Sequence, residues 1–317
     1  MRLFILLLSV IGFSYSALAQ TYVGTFVTVK GDVKILRAPS SQSRGPFAQV
    51  EGIKYEFENA RIGKKVNPGE RIQSGADGKA KIAYPNGDHF IIGNGTVMVL
   101  PQVQANDDKK QNVDLLYGRV RALISKKGPR NNMIIKTPSA VAGVRGTDFF
   151  TRSNAIVGTQ LTVLRGEVAV SSKDKPEKVA SVKSGFMAEL DKDSKKAEVI
   201  EAPKEELLMV QSETTMKATK EEIKSLNEEE RIQIVELNKK SKESVMNEIK
   251  LEDPTLYQEL KQNEKISTDD IHTAVVAKLY KTAPSDLKRQ KPTTKELEDI
   301  GDDVYKKYFS PENTKTE

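Results

Sequence analysis

Thr137 to Phe149, TPSAVAGVRGTDF, and the run from Thr162 to Val170, TVLRGEVAV, decide the fold class. Both are rich in β-branched and aromatic residues, which favour extended backbone. Both are broken by glycine, which tolerates the dihedral angles of a sharp bend. Arg145 and Asp148 flank Gly146-Thr147, which reads as a turn or bulge between Val144 and Phe149. A side chain on one flank of a tight turn can fold back onto the other, so the two charges are expected to pair and hold the bend. Neither run contains a nucleophile motif, a metal-ligand cluster or a phosphate loop.

The neighbouring sequence is of the same kind. Tyr22 to Val29, Asp32 to Leu36, Lys79 to Tyr84, Phe90 to Ile92, Thr96 to Leu100, Leu115 to Ile124 and Met133 to Thr137 predict short strands. Pro85-Asn86-Gly87-Asp88 predicts a hairpin turn, since proline presets its own φ and glycine accepts the left-handed angle after asparagine. His89, just after that turn, is expected to be exposed. A weak repeat of the form G-x-V-x-apolar recurs at Gly31 to Ile35, Gly118 to Ala122 and Gly166 to Val170. Each copy opens a strand and then alternates apolar with polar residues. Such strands suit a sandwich, a barrel or a β-solenoid, and periodicity does not choose among them. Ala105 to Asn112 and Ser172 to Glu177 read as exposed polar loops.

Composition changes near Ala202. Residues 20–202 hold 29 Lys and Arg against 19 Asp and Glu, a net charge of +10. Residues 203–317 hold 20 against 25, a net charge of −5, with little glycine and much Glu, Lys, Leu and Ile. The chain therefore divides into a mainly β domain over 20–202 and an α-helical region over 203–317. The opposite charges are consistent with the two parts docking on each other. Helices are predicted over Lys204 to Ser225, from Asn227 (an N-cap with Glu230 as its capping-box partner) to a stop before Asp253-Pro254, around Leu256 to Leu260, from Ser267 onward, and over Thr294 to Phe309. Their apolar residues fall at core-facing spacing.

Residues 1–19 read as a cleavable signal peptide. Arg2 supplies the positive start, Leu3 to Phe13 the apolar core, and Ala17-Leu18-Ala19 the cleavage motif, so the mature chain is expected to begin at Gln20 after Ala19. The protein is then exported, periplasmic or secreted, with membrane contact peripheral if any. The chain has no cysteine, so its fold rests on packing without disulfides.

Catalysis finds little support. With two histidines and no cysteine, no His- or Cys-based metal cluster is available, and no cofactor is expected. His89 and His272 read as structural, and no G-x-S-x-G elbow accompanies them. Carboxylates such as Glu70, Asp88, Asp148 and Glu167 could serve a cell-wall glycan hydrolase, but they are scattered over predicted turns. The basic residues Lys64-Lys65, Lys109-Lys110, Lys126-Lys127 and Arg130 sit in separate loops without interleaved aromatics, which argues against nucleic acid as a partner.

Taken in order, these segments resemble the FecR domain family over roughly residues 68–170. Pro68 to Ser74, PGERIQS, is similar to the family's P-G-D-x-I-x-T run, with Glu70 and Ser74 as departures. Leu115 to Val120 resembles the L-x-x-G-x-V strand. Thr137-Pro138 with Val144, Arg145, Gly146, Thr147, Asp148 and Phe149 resembles T-P-x-A…V-R-G-T-(E/D)-F, with Asp where Glu is usual. The resemblance implies a short β-solenoid-like stack, with a β-sandwich as the alternative. It implies a module that contacts partners, an envelope protein or cell-wall polymer, through residues of this motif or uses those residues to hold its shape. The family's best-known members join a periplasmic FecR domain across the membrane to a cytoplasmic anti-sigma segment. This chain departs from that plan, having a cleavable signal and no later stretch apolar enough to span. The expected role is non-catalytic binding or scaffolding in the bacterial envelope, with a periplasmic sensor relaying to a membrane regulator as the alternative and the glycan hydrolase third.

Overall fold

A computed structural model describes residues 24–100, 111–126, 133–194, 196–263 and 265–279. The signal segment with Ala19 and Gln20, most of the Ala105 to Asn112 loop and the Thr294 to Phe309 helix lie outside the described residues. The first part of the chain is all strand: β1 (Gly24–Lys30), β2 (Val33–Arg37), β3 (Phe47–Val50), β4 (Ile53–Asn59), β5 (Lys65–Val66), β6 (Arg71–Ser74), β7 (Lys79–Ala83), β8 (His89–Ile92) and β9 (Val97–Val99). It continues through β10 (Gln111–Leu123), β11 (Met133–Lys136), β12 (Ala140–Val144), β13 (Asp148–Asn154), β14 (Gly158–Arg165), β15 (Glu167–Ser172), β16 (Lys175–Lys183), β17 (Phe186–Asp191) and β18 (Glu198–Glu201). Helices follow: α1 (Lys204–Thr214), α2 (Lys220–Lys224), α3 (Glu228–Glu252), α4 (Pro254–Lys261) and α5 (Thr268–Leu279).

The strands form two sheets that share β10. One runs β5-β1-β7-β8-β10-β13-β14-β17-β18. The other runs β3-β4-β2-β6-β9-β10-β11-β12-β15-β16. Among the described residues every pairing is antiparallel except β10 with β11. The N-terminal part of β10 pairs in the second sheet and its Gly118 to Leu123 part in the first. Gly118 marks the crossing, with φ +97°. A Cβ there would lie 2.4 Å from Thr96 Cα and 2.6 Å from the Gly95 carbonyl oxygen, so only glycine lets the strand turn the corner. The other two repeat glycines also stand where the chain passes between sheets: Gly31 between β1 and β2, and Gly166 between β14 and β15. The weak sequence repeat is thus a repeat of corners.

Side chains alternate across each strand, and one set from both sheets meets in a single apolar core. Phe26, Ile35, Ile72, Ile82, Phe90, Ile92, Val120, Phe149, Val163 and Val168 belong to it. The Tyr84 to Asp88 hairpin forms as the sequence predicts, with Tyr84 N–H donating to Asp88 O at 2.9 Å and Gly87 N–H to Tyr84 O at 3.0 Å. Two expectations need correction. Ser172 to Glu177 is not a loop, because β15 ends at Ser172 and β16 begins at Lys175 around a tight turn. Lys204 to Ser225 is not one helix, because α1 stops at Thr214 and α2 begins only at Lys220. The β-branched Thr214-Thr215 pair disfavours helix, and Thr214 is drawn into a contact with the sheet described below.

The helices lie on the outer face of the first sheet. Asn227 caps α3 with a capping box, its side chain accepting from Glu230 N–H at 2.9 Å. Leu256 N–H donates to Asp253 Oδ1 at 3.1 Å at the start of α4. Apolar residues of the helices then pack with outward residues of the strands. Ile91 and Leu123 join Val245, Ile249, Ile271 and Val275. Phe150, Leu164 and Met187 join Leu207, Val210 and Val276. Val27 and Ala83 join Ile234 and Leu237. The first sheet is therefore buried on both faces.

Candidate functional site

The motif residues separate into three environments. Thr137, Pro138 and Ser139 make the turn from β11 to β12. Ala140 N–H donates to Thr137 Oγ1 at 2.9 Å, and the hydroxyls of Thr137 and Ser139 each lie 2.7 Å from Thr159 Oγ1 on β14. These contacts pin the second sheet to the first at one end. Gly146 makes the step between the sheets with φ +62°, and Thr147 is buried, its carbonyl accepting from Ile124 N–H at 2.9 Å. Phe149 fills the common core.

Asp148 does not pair with Arg145. It is held by Arg121 of β10 through a two-pronged contact, Nε to Oδ1 at 2.7 Å and Nη2 to Oδ2 at 2.6 Å. Both side chains are almost fully buried, at 1% and 2% exposure. The reason is strand alternation. Asp148 opens β13 facing the helices, next to the β10 strand that carries Arg121 on the same face, whereas Arg145 follows directly after β12 of the other sheet and is exposed. The remaining Arg121 nitrogen, Nη1, donates to Thr214 Oγ1 at the end of α1 at 2.9 Å.

Arg145 instead borders an open groove of about 890 Å³ on the outer face of the second sheet. Register places Ile134, Gly143, Ala169 and Ser181 in one row across β11, β12, β15 and β16. Gly143 and Ala169 of that row, with Ile134 beside them, form the floor. Val141 and Val179 stand on one side, while Arg145, Lys183 and Lys126 bring positive charge to the other, beside Glu167. Lys126 is tied to Glu252, but no ion pair or hydrogen bond engages Arg145 or Lys183 among the described residues. The groove can therefore receive an extended chain that offers an anionic group.

The opposite face of the molecule, where helices meet the first sheet, carries most of the buried charge. Cross-strand register aligns His89 of β8 with Leu123 of β10, and Leu123 with Asp148 and then Arg165. The next row carries Lys81, Ile91, Arg121, Phe150 and Thr162. The helices answer nearly every charge. Arg119 bonds Glu213, Arg152 bonds Glu206, and Arg165 bonds Glu248. Lys81 lies 3.9 Å from Asp269. Glu206 also accepts from the Thr162 hydroxyl at 2.9 Å. Burial pushes the Glu206 and Asp269 carboxyls above the ordinary carboxylate range, against the pull of Arg152 and Lys81 respectively. Burial likewise lowers the Lys81 ammonium.

His89 is fully buried, contrary to the exposed position expected from its place after a turn. Its strand is covered by α5, and His272 of α5 stacks on it with ring centroids 5.7 Å apart and planes at 30°. Proximity of the chain's two histidines had no signal in the sequence, since they come from parts 183 residues apart. Of the glycan-hydrolase carboxylates, Asp148 is locked by Arg121, Asp88 accepts from Ser125 N–H at 2.8 Å, Glu70 bonds Arg37, and Glu167 accepts from Ser181. Each is held by a different donor. No group of three or more potential metal-binding side chains is found among the described residues.

Residues 70–169 match the family model described as FecR protein, which is the stretch bounded by β6 and β15 and containing every motif residue above. The chain carries a FecR domain. Similar solved structures include two crystal structures, at 2.50 and 1.65 Å, of a candidate anti-sigma factor from Parabacteroides distasonis ATCC 8503. Their identities to this chain are 17% and 16%, with a TM-score of 0.35 in each case. Each comparison covers 41% of this chain and 59% of the other, so the chain spans well under two thirds of that protein's length. No curated protein matches the sequence. The FecR domain ends within β15, and the helices that cover its first sheet come from beyond it. No helix among the described residues is long and apolar enough to cross a membrane.

Proposed function

We propose that this is an exported, non-catalytic binding protein of the bacterial envelope whose FecR domain receives a partner protein in the groove beside Arg145. One observation carries the reading. Within the family's most specific motif, Thr137, Thr147, Asp148 and Phe149 are buried and engaged in structure, while Arg145 is exposed at the edge of an open groove and unengaged among the described residues. A charged side chain that holds nothing in its own fold is suited to hold something else. The cations on one side and the apolar floor favour an extended segment bearing a carboxylate. The FecR match also supports the sensor reading, in which that partner is a membrane regulator. The antiparallel pairing and shared core support a sandwich description of the domain over a solenoid-like stack.

The test places a photo-crosslinking amino acid at Val141 in the full chain, expressed in its native cell. A discrete adduct with an envelope protein, lost on Arg145→Glu, supports the proposal. Adducts with cell-wall material, or a protein adduct indifferent to Arg145→Glu, would overturn it. The N-terminus of the same purified protein checks export. Processing after Ala19 is expected, and an intact Met1 in the cytoplasmic fraction contradicts it.

A further inference from the structure

The two histidines lie at the seam between the FecR domain's first sheet and the helices, away from the Arg145 groove. His89 contributes the sheet side and His272 the helix side. Both are buried, at 0% and 2% exposure. His89 Nδ1 lies 3.4 Å from the Gly87 carbonyl oxygen, which places its proton there and leaves Nε2 as a bare lone pair. Among the described residues, neither His89 Nε2 nor His272 Nε2 has a hydrogen-bond partner. Two buried ring nitrogens left without partners cost stability that an apolar pair would not.

The charges around them leave no room for another cation. Lys81 comes from β7, Arg121 from β10 and Arg165 from β14. Each is already matched by one carboxylate: Asp269 of α5 for Lys81, Asp148 of β13 for Arg121, and Glu248 of α3 for Arg165, with Glu252 at its solvent edge. Asp88, just before His89, is held by Ser125 N–H, and α1 faces Arg121 with the neutral Thr214. An imidazolium formed at either ring would stand against the other ring and three cations, and the carboxylates nearest them are already drawn towards those cations.

We infer that the helical region is an acid-released cap: uptake of protons by His89 and His272 undocks α5, and with it the helical layer, from the first sheet of the FecR domain. The sign follows from linkage. Burial, first of all, and then the neighbouring cations hold both imidazoles well below their ordinary value of 6.5 in the docked state, with the His89 ring adding to the effect at His272. An undocked histidine regains the ordinary value, so below pH 6.5 the undocked state binds more protons and docking weakens. Asp269 and Glu206, raised by burial, act in the opposite sense, because the docked state takes up their protons more readily. Lys81, also lowered by burial, acts in the same sense as the histidines but starts from 10.5, whereas the histidines' ordinary value lies inside the pH 5.5 to 7.5 window, so acid release is assigned to them. With both ordinary in the undocked state, the docking constant falls by up to about tenfold per histidine, or up to about a hundredfold for the two, from pH 7.5 to 5.5. Release would bare Lys81, Arg119, Arg121, Arg152 and Arg165, a cationic face now satisfied largely by the protein's own acidic helices.

The test is hydrogen exchange on the full chain at pH 7.5 and 5.5, corrected for intrinsic exchange rates. The expected result is a fall of up to about a hundredfold in the protection of α5 amides, with β8 and β14 unchanged. In the double variant His89→Phe, His272→Phe the fall should vanish. Because those substitutions sit in a packed seam, a second measurement uses the unaltered protein. Its two histidine ring signals in NMR should change together with the loss of α5 protection. Protection of α5 that varies less than about threefold, or a histidine that titrates near pH 6.5 with α5 still protected, would overturn the inference. So would an equal fall in the double variant. None of these outcomes depends on what occupies the Arg145 groove.

Discussion

At the scale of single residues, Arg121 and Asp148 carry more of the fold than their neighbours in sequence reveal. Removing one member of a buried, two-pronged pair leaves the other charge stranded, at a cost of about 3–5 kcal/mol. Arg121→Ala and Asp148→Ala should each lower the urea midpoint of the full chain accordingly, and the double variant should lose much less than the sum. Arg145→Ala, at an exposed position, should change stability by no more than about 0.5 kcal/mol. Equal effects at Arg145 and Asp148 would mean that the pairing is misassigned. The motif itself was legible in the sequence, but the expected pairing of Asp148 with Arg145 was not what forms, since Asp148 is held by Arg121. That partner was not legible, because it lies on a neighbouring strand, 27 residues upstream. In the alternation Arg119-Val120-Arg121-Ala122 the arginines read as a solvated face, and nothing local says that helices will cover them.

At the scale of elements, the corners were the best-encoded feature. The G-x-V-x-apolar repeat marks glycine at the point of crossing, because the chain must turn there without a Cβ in the way. Gly118→Ala should cost at least about 2 kcal/mol, since it combines a left-handed φ with overlap onto the Thr96 and Gly95 backbone. Gly143→Ala is the control. A Cβ there meets nothing nearer than 3.8 Å, so stability should move by about 0.5 kcal/mol or less. Thermal unfolding of both variants decides, and a Gly118→Ala protein as stable as Gly143→Ala would refute the corner argument. Other elements were invisible for physical reasons. β3, β4 and β16 alternate polar residues over exposed faces, so they lack the apolar signature of a half-buried strand. The capping box at Asn227 and Glu230 was legible because it is a local hydrogen-bond exchange. The break after α1 was not, because it follows from a tertiary contact at Thr214.

At the scale of the molecule, burial divides into a β core and a helix–sheet seam whose fully buried residues are distinct, with the half-buried Val29 packing against both. The β core draws only on strand residues and the segments joining them. The seam is built from three clusters in which outward-facing strand residues meet the helices. The charge split between the two halves was consistent with their meeting and equally with two separate surfaces. It could not show that the meeting uses buried pairs and a histidine stack, because composition carries no register. A core divided in this way should come apart in two steps. Ile249, 1% exposed, packs only in the seam. Ile249→Ala removes three carbons from it and should cost about 2–5 kcal/mol there. Hydrogen exchange at pH 7.5 should then show amides of α3, α4 and α5 losing protection by a factor of about 30 or more. Amides of β7, β10 and β13 should lose far less, because the β core keeps its own contacts when the helices lift. A uniform loss across helices and strands would show one cooperative unit, in which no cap could open without unfolding the domain beneath it.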